Sequence, residues 1–123
     1  MKINQDSVPS TLNEAINSIV DTLDQKDKDF IKQNEPSSVH FTIGMYLRNN
    51  WDLWEKDSPL VLDVKQRFGL WGHGDDVSGL ILEGVWAKVN GIDVDKILVQ
   101  RSLQCKHHWE KAGVNWKTGE EKA

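Results

Sequence analysis

Cysteine, proline, tyrosine and long apolar runs are all scarce in this chain of 123 residues, and each scarcity excludes something. The single cysteine, Cys105, forbids an internal disulfide and suits a reducing compartment. No apolar run approaches the ~20 residues of a membrane span, and the opening MKINQDSVPS lacks the apolar core of a secretory signal. An excess of basic charge is missing too. The formal charge is -4 and the pI about 5.5, which argues against a nonspecific nucleic-acid binder but leaves room for a local basic patch. The expectation is a cytoplasmic protein with neither a membrane partner nor a sequence-specific nucleic-acid partner, homo-oligomerisation being left open.

What is present is helical periodicity. Leu12, Ala15, Ile16, Ile19, Val20 and Leu23 recur at helical steps behind Thr11-Leu12-Asn13-Glu14, a capping-box spacing. A short charged helix is predicted near Lys26–Gln33, with Phe30 and Ile31 docked and Pro36 ending it. The stretch His40–Trp54 reads as a central, largely buried helix, because Ile43, Leu47, Trp51 and Trp54 keep the helical period. Ser58-Pro59 opens a further helix that Gly69 closes. After the loop LWGHGDD, Asp75 is the expected cap of a helix running to Asn90-Gly91, and Asp93 caps a last long one ending at Gly113. Val114 and Trp116 are expected to fold back and the tail KTGEEKA to fray. The fold class is therefore all-α, a single-domain bundle of about five to six helices. Residues 1–9 are read as a flexible arm, 10–112 as the helical domain and 113–123 as a C-terminal tail.

Chemistry concentrates in two places. His40, Gly44 and Arg48 stack at four-residue steps, with Asn49, Asn50, Trp51 and Trp54 beside them. A guanidinium fork, amide groups and indole faces together suit a nucleotide-like anion. The bland counterpart is a set of polar groups satisfying loop carbonyls while the tryptophans fill the core. The second place is His73-Gly74-Asp75-Asp76-Val77-Ser78 at a helix start. One aspartate is expected to cap that helix, and the other to orient His73 or pair with Arg48. Two carboxylates there repel a phosphate, and no nucleophile elbow surrounds Ser78. His107 and His108 diverge on a helix, while Cys105 and His108 have no further ligands at fixed spacing, so no metal and no cofactor is implied. Lys96, Arg101, Lys106, Lys111 and Lys117 rotate around their helix and read as a solvated face.

Those two clusters resemble the signatures of an uncharacterised domain family of bacteria and phages, a domain of unknown function. The family pattern H-x3-G-x3-R-N-x-W-x-L-W is matched by His40, Gly44, Arg48, Asn49, Trp51, Leu53 and Trp54. The pattern H-P-D-D-x-S is matched by His73, Asp75, Asp76 and Ser78, with Gly74 in place of the proline, a change that loosens the loop. The opening Pro9-Ser10-Thr11-Leu12-Asn13-Glu14-Ala15 is similar as well, and the resemblance spans roughly residues 9–95. It implies a bacterial or phage origin but no activity.

The residues themselves point to a non-catalytic binding protein. Its ligand-binding set is His40, Arg48, Asn49, Trp51, Trp54, His73 and Asp76. The expected partner is a small anionic, nucleotide-like ligand of host immunity, sequestered by an anti-defence factor. The alternatives are a protein-binding inhibitor or immunity factor that meets a host protein, and a small hydrolase using His73 with Asp75 or Asp76.

Overall fold

Helix starts in this protein are set by side-chain acceptors. Thr11 Oγ1 accepts from the Glu14 amide at 3.1 Å, and the Glu14 carboxylate reaches back to the Ser10 amide at 3.0 Å. The capping box thus forms with its return arm one residue further out than the usual pattern. Asp24, Ser58 and Asp93 cap their helices in the same way, accepting from Asp27, Val61 and Lys96. Pro59 follows its cap at the first helical position, where its missing N–H costs nothing.

The computed structural model describes residues 8–34, 47, 51, 53, 55 and 57–121. Among them the fold is all-α, one domain of five helices without a sheet: α1 (Leu12–Thr22), α2 (Gln25–Gln33), α3 (Pro59–Phe68), α4 (Gly74–Val89) and α5 (Val94–Lys111). Gly69 closes α3 in the left-handed conformation at φ 69°. No described helix is long and apolar enough to cross a membrane.

Helix α4 is the hub of the described bundle, since α1, α2, α3 and α5 all pack on it. Its sequence explains why. Val77, Leu80, Ile81, Leu82, Val85 and Ala87 surround the helix, and Ser78, Gly79 and Gly84 are buried between them. A helix apolar on all sides has to be covered on all sides. Leu12, Ala15, Ile16 and Ile19 of α1, Leu60, Val61 and Val64 of α3, and Leu98 of α5 supply that cover. Burying each such aliphatic side chain contributes about 1.5–3 kcal/mol.

The predicted central helix His40–Trp54 lies mostly outside the described residues. Of its members, Leu47, Trp51 and Leu53 are described and fully buried, and the Trp51 amide donates to the Leu47 carbonyl at 2.8 Å, one helical turn back. The N-terminal residues 1–7 and the proline at 36 also lie outside the described set.

Three local expectations are corrected. Phe30 is not docked with Ile31: it is 52% exposed, because α2 turns only its Ile31 side toward the core. The residue at the cap of α4 is His73 and not Asp75, since the helix already begins at Gly74. The tail does not fray at once. Val114 and Trp116 fold back as expected, but Lys117–Glu121 continue into a closed turn. There the Asn115 amide donates to the Glu120 carbonyl at 2.8 Å and Val114 bridges Glu121.

Candidate functional site

The start of α4 and the middle of α5 bring together polar, aromatic and thiol side chains around a hollow. At the start of α4, His73 Nδ1 accepts from the Asp75 amide at 3.0 Å. The same nitrogen is 3.8 Å from the Asp75 carboxylate, a pairing that would need a proton on it. The shorter contact decides: Nδ1 is the acceptor of the Asp75 amide. An imidazole therefore does the work expected of a carboxylate, filling one of the free amides of the first turn.

Asp76, freed from capping, points to α5. Its Oδ2 accepts from Trp109 Nε1 at 2.7 Å, a short charge-assisted bond, and the residue is only 7% exposed. Around that bond an aromatic cluster has formed. Trp71 meets Trp109 edge to face at 5.3 Å and His73 at 5.2 Å, and His108 meets Trp109 at 4.9 Å. These distances and angles are those that aromatic quadrupoles favour.

The α5 half of the site has its own logic. Arg101, Cys105 and Trp109 are four apart, so they share one face of the helix and run along the seam with α4. Arg101 lies on Gly79, where a Cβ would stand 2.9 Å from its Nη2. Its Nη1 is 4.0 Å from Glu83 Oε1. Its Nε is buried and has no hydrogen-bond partner among the described residues. The expectation of a solvated Arg101 is thereby corrected: a glycine on α4 makes room for it, and the guanidinium packs into the seam. Cys105 is buried beside it, and burial, with the Asp76 carboxylate adding to it, pushes the thiol up to about 12. Burial likewise raises the Glu83 carboxyl above its ordinary range, while Arg101 pulls it back.

Between these groups is a hollow of about 240 Å³ lined by Asp75, Asp76, Arg101, Gln104, Cys105 and His108. It offers acceptors on the α4 side and donors on the α5 side. Ser78 is fully buried and its hydroxyl donates to the Asp75 carbonyl at 3.1 Å. No cluster of three or more histidine, cysteine or acidic residues able to hold a metal occurs among the described residues.

Of the residues singled out in the sequence, His73, the cap of α4, and Asp76, three residues on in its first turn, both touch Trp109, at 5.3 Å between rings and through the indole bond. Trp51 is fully buried. His40, Arg48, Asn49 and Trp54 lie outside the described residues. Sequence reasoning passed over Trp71, Arg101, Gln104, Cys105, His108 and Trp109 as members of this site. The signal for half of them was the spacing Arg101-x3-Cys105-x3-Trp109, an arginine in line with two inward-facing residues of α5.

A family model described as "Domain of unknown function (DUF6794)" matches residues 8–89. That match ends at the last residue of α4, so the α5 wall of the hollow lies beyond it. No curated protein and no solved structure matches the chain.

Proposed function

The chain belongs to the DUF6794 family, and we propose that it is a non-catalytic binding protein whose hollow between α4 and α5 receives the ring of a small, nucleotide-like ligand. The observation that carries this is the Arg101 guanidinium at the wall of the hollow, its Nε buried without a partner among the described residues. A buried polar nitrogen left unmatched costs about 1–3 kcal/mol, which a ligand able to order this wall would offset. The volume, about 240 Å³, is slightly below the ~300–1,000 Å³ usual for ligand pockets, so it suits one ring system and not a whole nucleotide.

Charge decides which part of the ligand enters. Asp75 and Asp76 outnumber Arg101 in the lining, so a phosphate is repelled there and a neutral heterocycle with both donors and acceptors is favoured. The anionic end of such a ligand calls for cationic partners, the role that the sequence pattern suggests for His40 and Arg48, which lie outside the described residues. Sequestration of a nucleotide signal of host immunity, in a bacterial or phage-infected cell, is the role that this chemistry would serve. The hydrolase alternative is disfavoured by the thiol of Cys105, held near 12, and by the buried Ser78 hydroxyl, which is already engaged as a donor. A protein-binding inhibitor is the second candidate, supported by Val99 and Leu103, 51% and 57% exposed and one turn apart on α5.

Titration calorimetry of the full chain against nucleobases, nucleosides and mononucleotides tests the proposal, with Arg101→Gln as the variant. Binding of at least one base-containing ligand, weakened about tenfold or more by the substitution, is expected. Heat from none of them, or equal binding by the variant, sinks it. A ligand recovered chemically changed moves the assignment to the hydrolase.

A further inference from the structure

The C-terminal hairpin returns to the loop that precedes α4, and the contacts it makes there lead step by step into the hollow. Gly113 turns the chain after α5, and the Val114 amide donates to the Trp109 carbonyl at 2.9 Å. Asn115 and Gly119 close the turn with a backbone bond of 2.7 Å. Trp116 pins this hairpin in place. Its Nε1 donates to Glu110 at 3.2 Å, its ring lies under the ammonium groups of Lys106 and Lys117, and its edge rests on Gly69. Gly119, at φ 77°, lies flat on the ring of Trp71, where a Cβ would strike the indole. Only a glycine satisfies both that backbone and that contact.

Trp71 in turn meets Trp109 edge to face, and Trp109 holds Asp76 by its indole N–H. We infer that residues 113–121 act as a positioning strap: by pressing Trp71 onto Trp109 they fix where the Asp76 carboxylate stands in the hollow. Each link is a contact between packed or hydrogen-bonded groups, so displacement at one end is felt at the other. The strap lies beyond the family-matched residues, as does Trp109. It would thus tune the α4 side of the site from outside the matched segment. The inference rests on the proposed function only for its effect on binding; the relay itself needs no ligand to be tested.

The test loosens the hairpin through two different contacts, Gly119→Val at the Trp71 face and Trp116→Ala at the Gly69 face, in the full-length protein. The readout is the indole N–H resonance of Trp109 in a nitrogen-15 spectrum, assigned with Trp109→Phe, and its hydrogen-exchange rate. Both variants should shift that resonance and speed its exchange about tenfold or more, while amides inside α4 keep their protection. Glu120→Gln, an exposed change in the same hairpin, should leave it unmoved. An unchanged Trp109 indole in both loosened variants overturns the relay, whatever any ligand does. If valine unfolds the chain, Gly119→Ala replaces it and the same two outcomes decide. For the nucleobase panel, the loosened variants should bind more weakly than the parent; loss of the relay with undiminished binding would separate the strap from the site.

Discussion

Helix α4 admits its two main neighbours through two glycines, and the neighbours are opposite in kind. At Gly84 the side chain of Ile16 from α1 occupies the space that a Cβ would fill. At Gly79 the occupant is the guanidinium of Arg101 from α5. Each glycine costs about 1 kcal/mol of helix propensity against alanine. On the α1 side that cost is offset by close apolar packing among Leu12, Ala15, Ile16 and Ile19. On the α5 side the room is given to a charged group with a nitrogen unmatched among the described residues, beside two carboxylates and a thiol. The first interface follows the rules for stability, and the second departs from them at one place. Departures of that kind gather where a protein binds something.

The largest effect separating the two interfaces should be chemical. Cys105 is buried in the α4–α5 seam, with its thiol pushed up to about 12. At pH 8 so little thiolate exists that reaction with a disulfide reagent should run about a thousandfold or more slower than for an exposed cysteine of ordinary pKa ~8.5. Denaturant should release the full rate in step with loss of helix. Fast labelling of the folded protein would mean that the seam opens readily and does not keep Cys105 buried.

Next in size is the contrast between the glycines themselves. Gly84→Ala forces a Cβ into Ile16. Overpacking of this sort costs typically about 1–3 kcal/mol, more than the ~1 kcal/mol that alanine returns in propensity. Ile16→Val in the same chain should recover part of the loss, because it removes the methyl that clashes. Gly79→Ala meets only the far end of a flexible arginine. Its stability should stay within about 0.5–1 kcal/mol of the parent, while the displaced guanidinium weakens ligand binding. Denaturant midpoints for the three variants and the parent, read beside calorimetry, check both halves. A Gly79→Ala protein as damaged as Gly84→Ala would make the two interfaces alike and remove the basis for calling one of them a site.

The α1 side was legible in the sequence because its information is local. Thr11, Glu14 and the spacing of Leu12, Ala15, Ile16 and Ile19 are enough to place the helix and its buried face. The caps at Ser58 and Asp93 and the closing Gly69 were legible for the same reason. The α4–α5 seam was not, because its partners are far apart in the chain. Asp76 and Trp109 are 33 positions apart, and nothing within either segment says that they bond. Asp75 looked like the cap of α4 since aspartate is the commoner choice. The helix began two residues earlier than that choice requires, at the glycine, and left His73 in the capping position. Arg101 looked solvated because helical spacing alone gives its angle around α5 and not what stands opposite; Gly79 stands there.

The smallest effect concerns Glu83, at the far end of the Arg101 side chain. Burial raises its carboxyl above the ordinary 4.5, and Arg101, 4.0 Å away, offsets only part of that. The folded chain therefore holds this proton more tightly than the unfolded chain does. By linkage, its contribution favours the fold below 4.5 and is lost as pH rises through the higher folded value. Glu83→Gln removes the titration. The stability difference between variant and parent should then grow in the variant's favour as pH rises from 4.5 and level off once the parent's carboxyl is ionised. Urea midpoints at a series of pH values measure it. The partial exposure of the group keeps the change small. The opposite slope, with the glutamine protein losing ground as pH rises, would mean that the ion pair with Arg101 outweighs burial. The guanidinium would then be a satisfied structural group, and its place in the hollow would need another explanation.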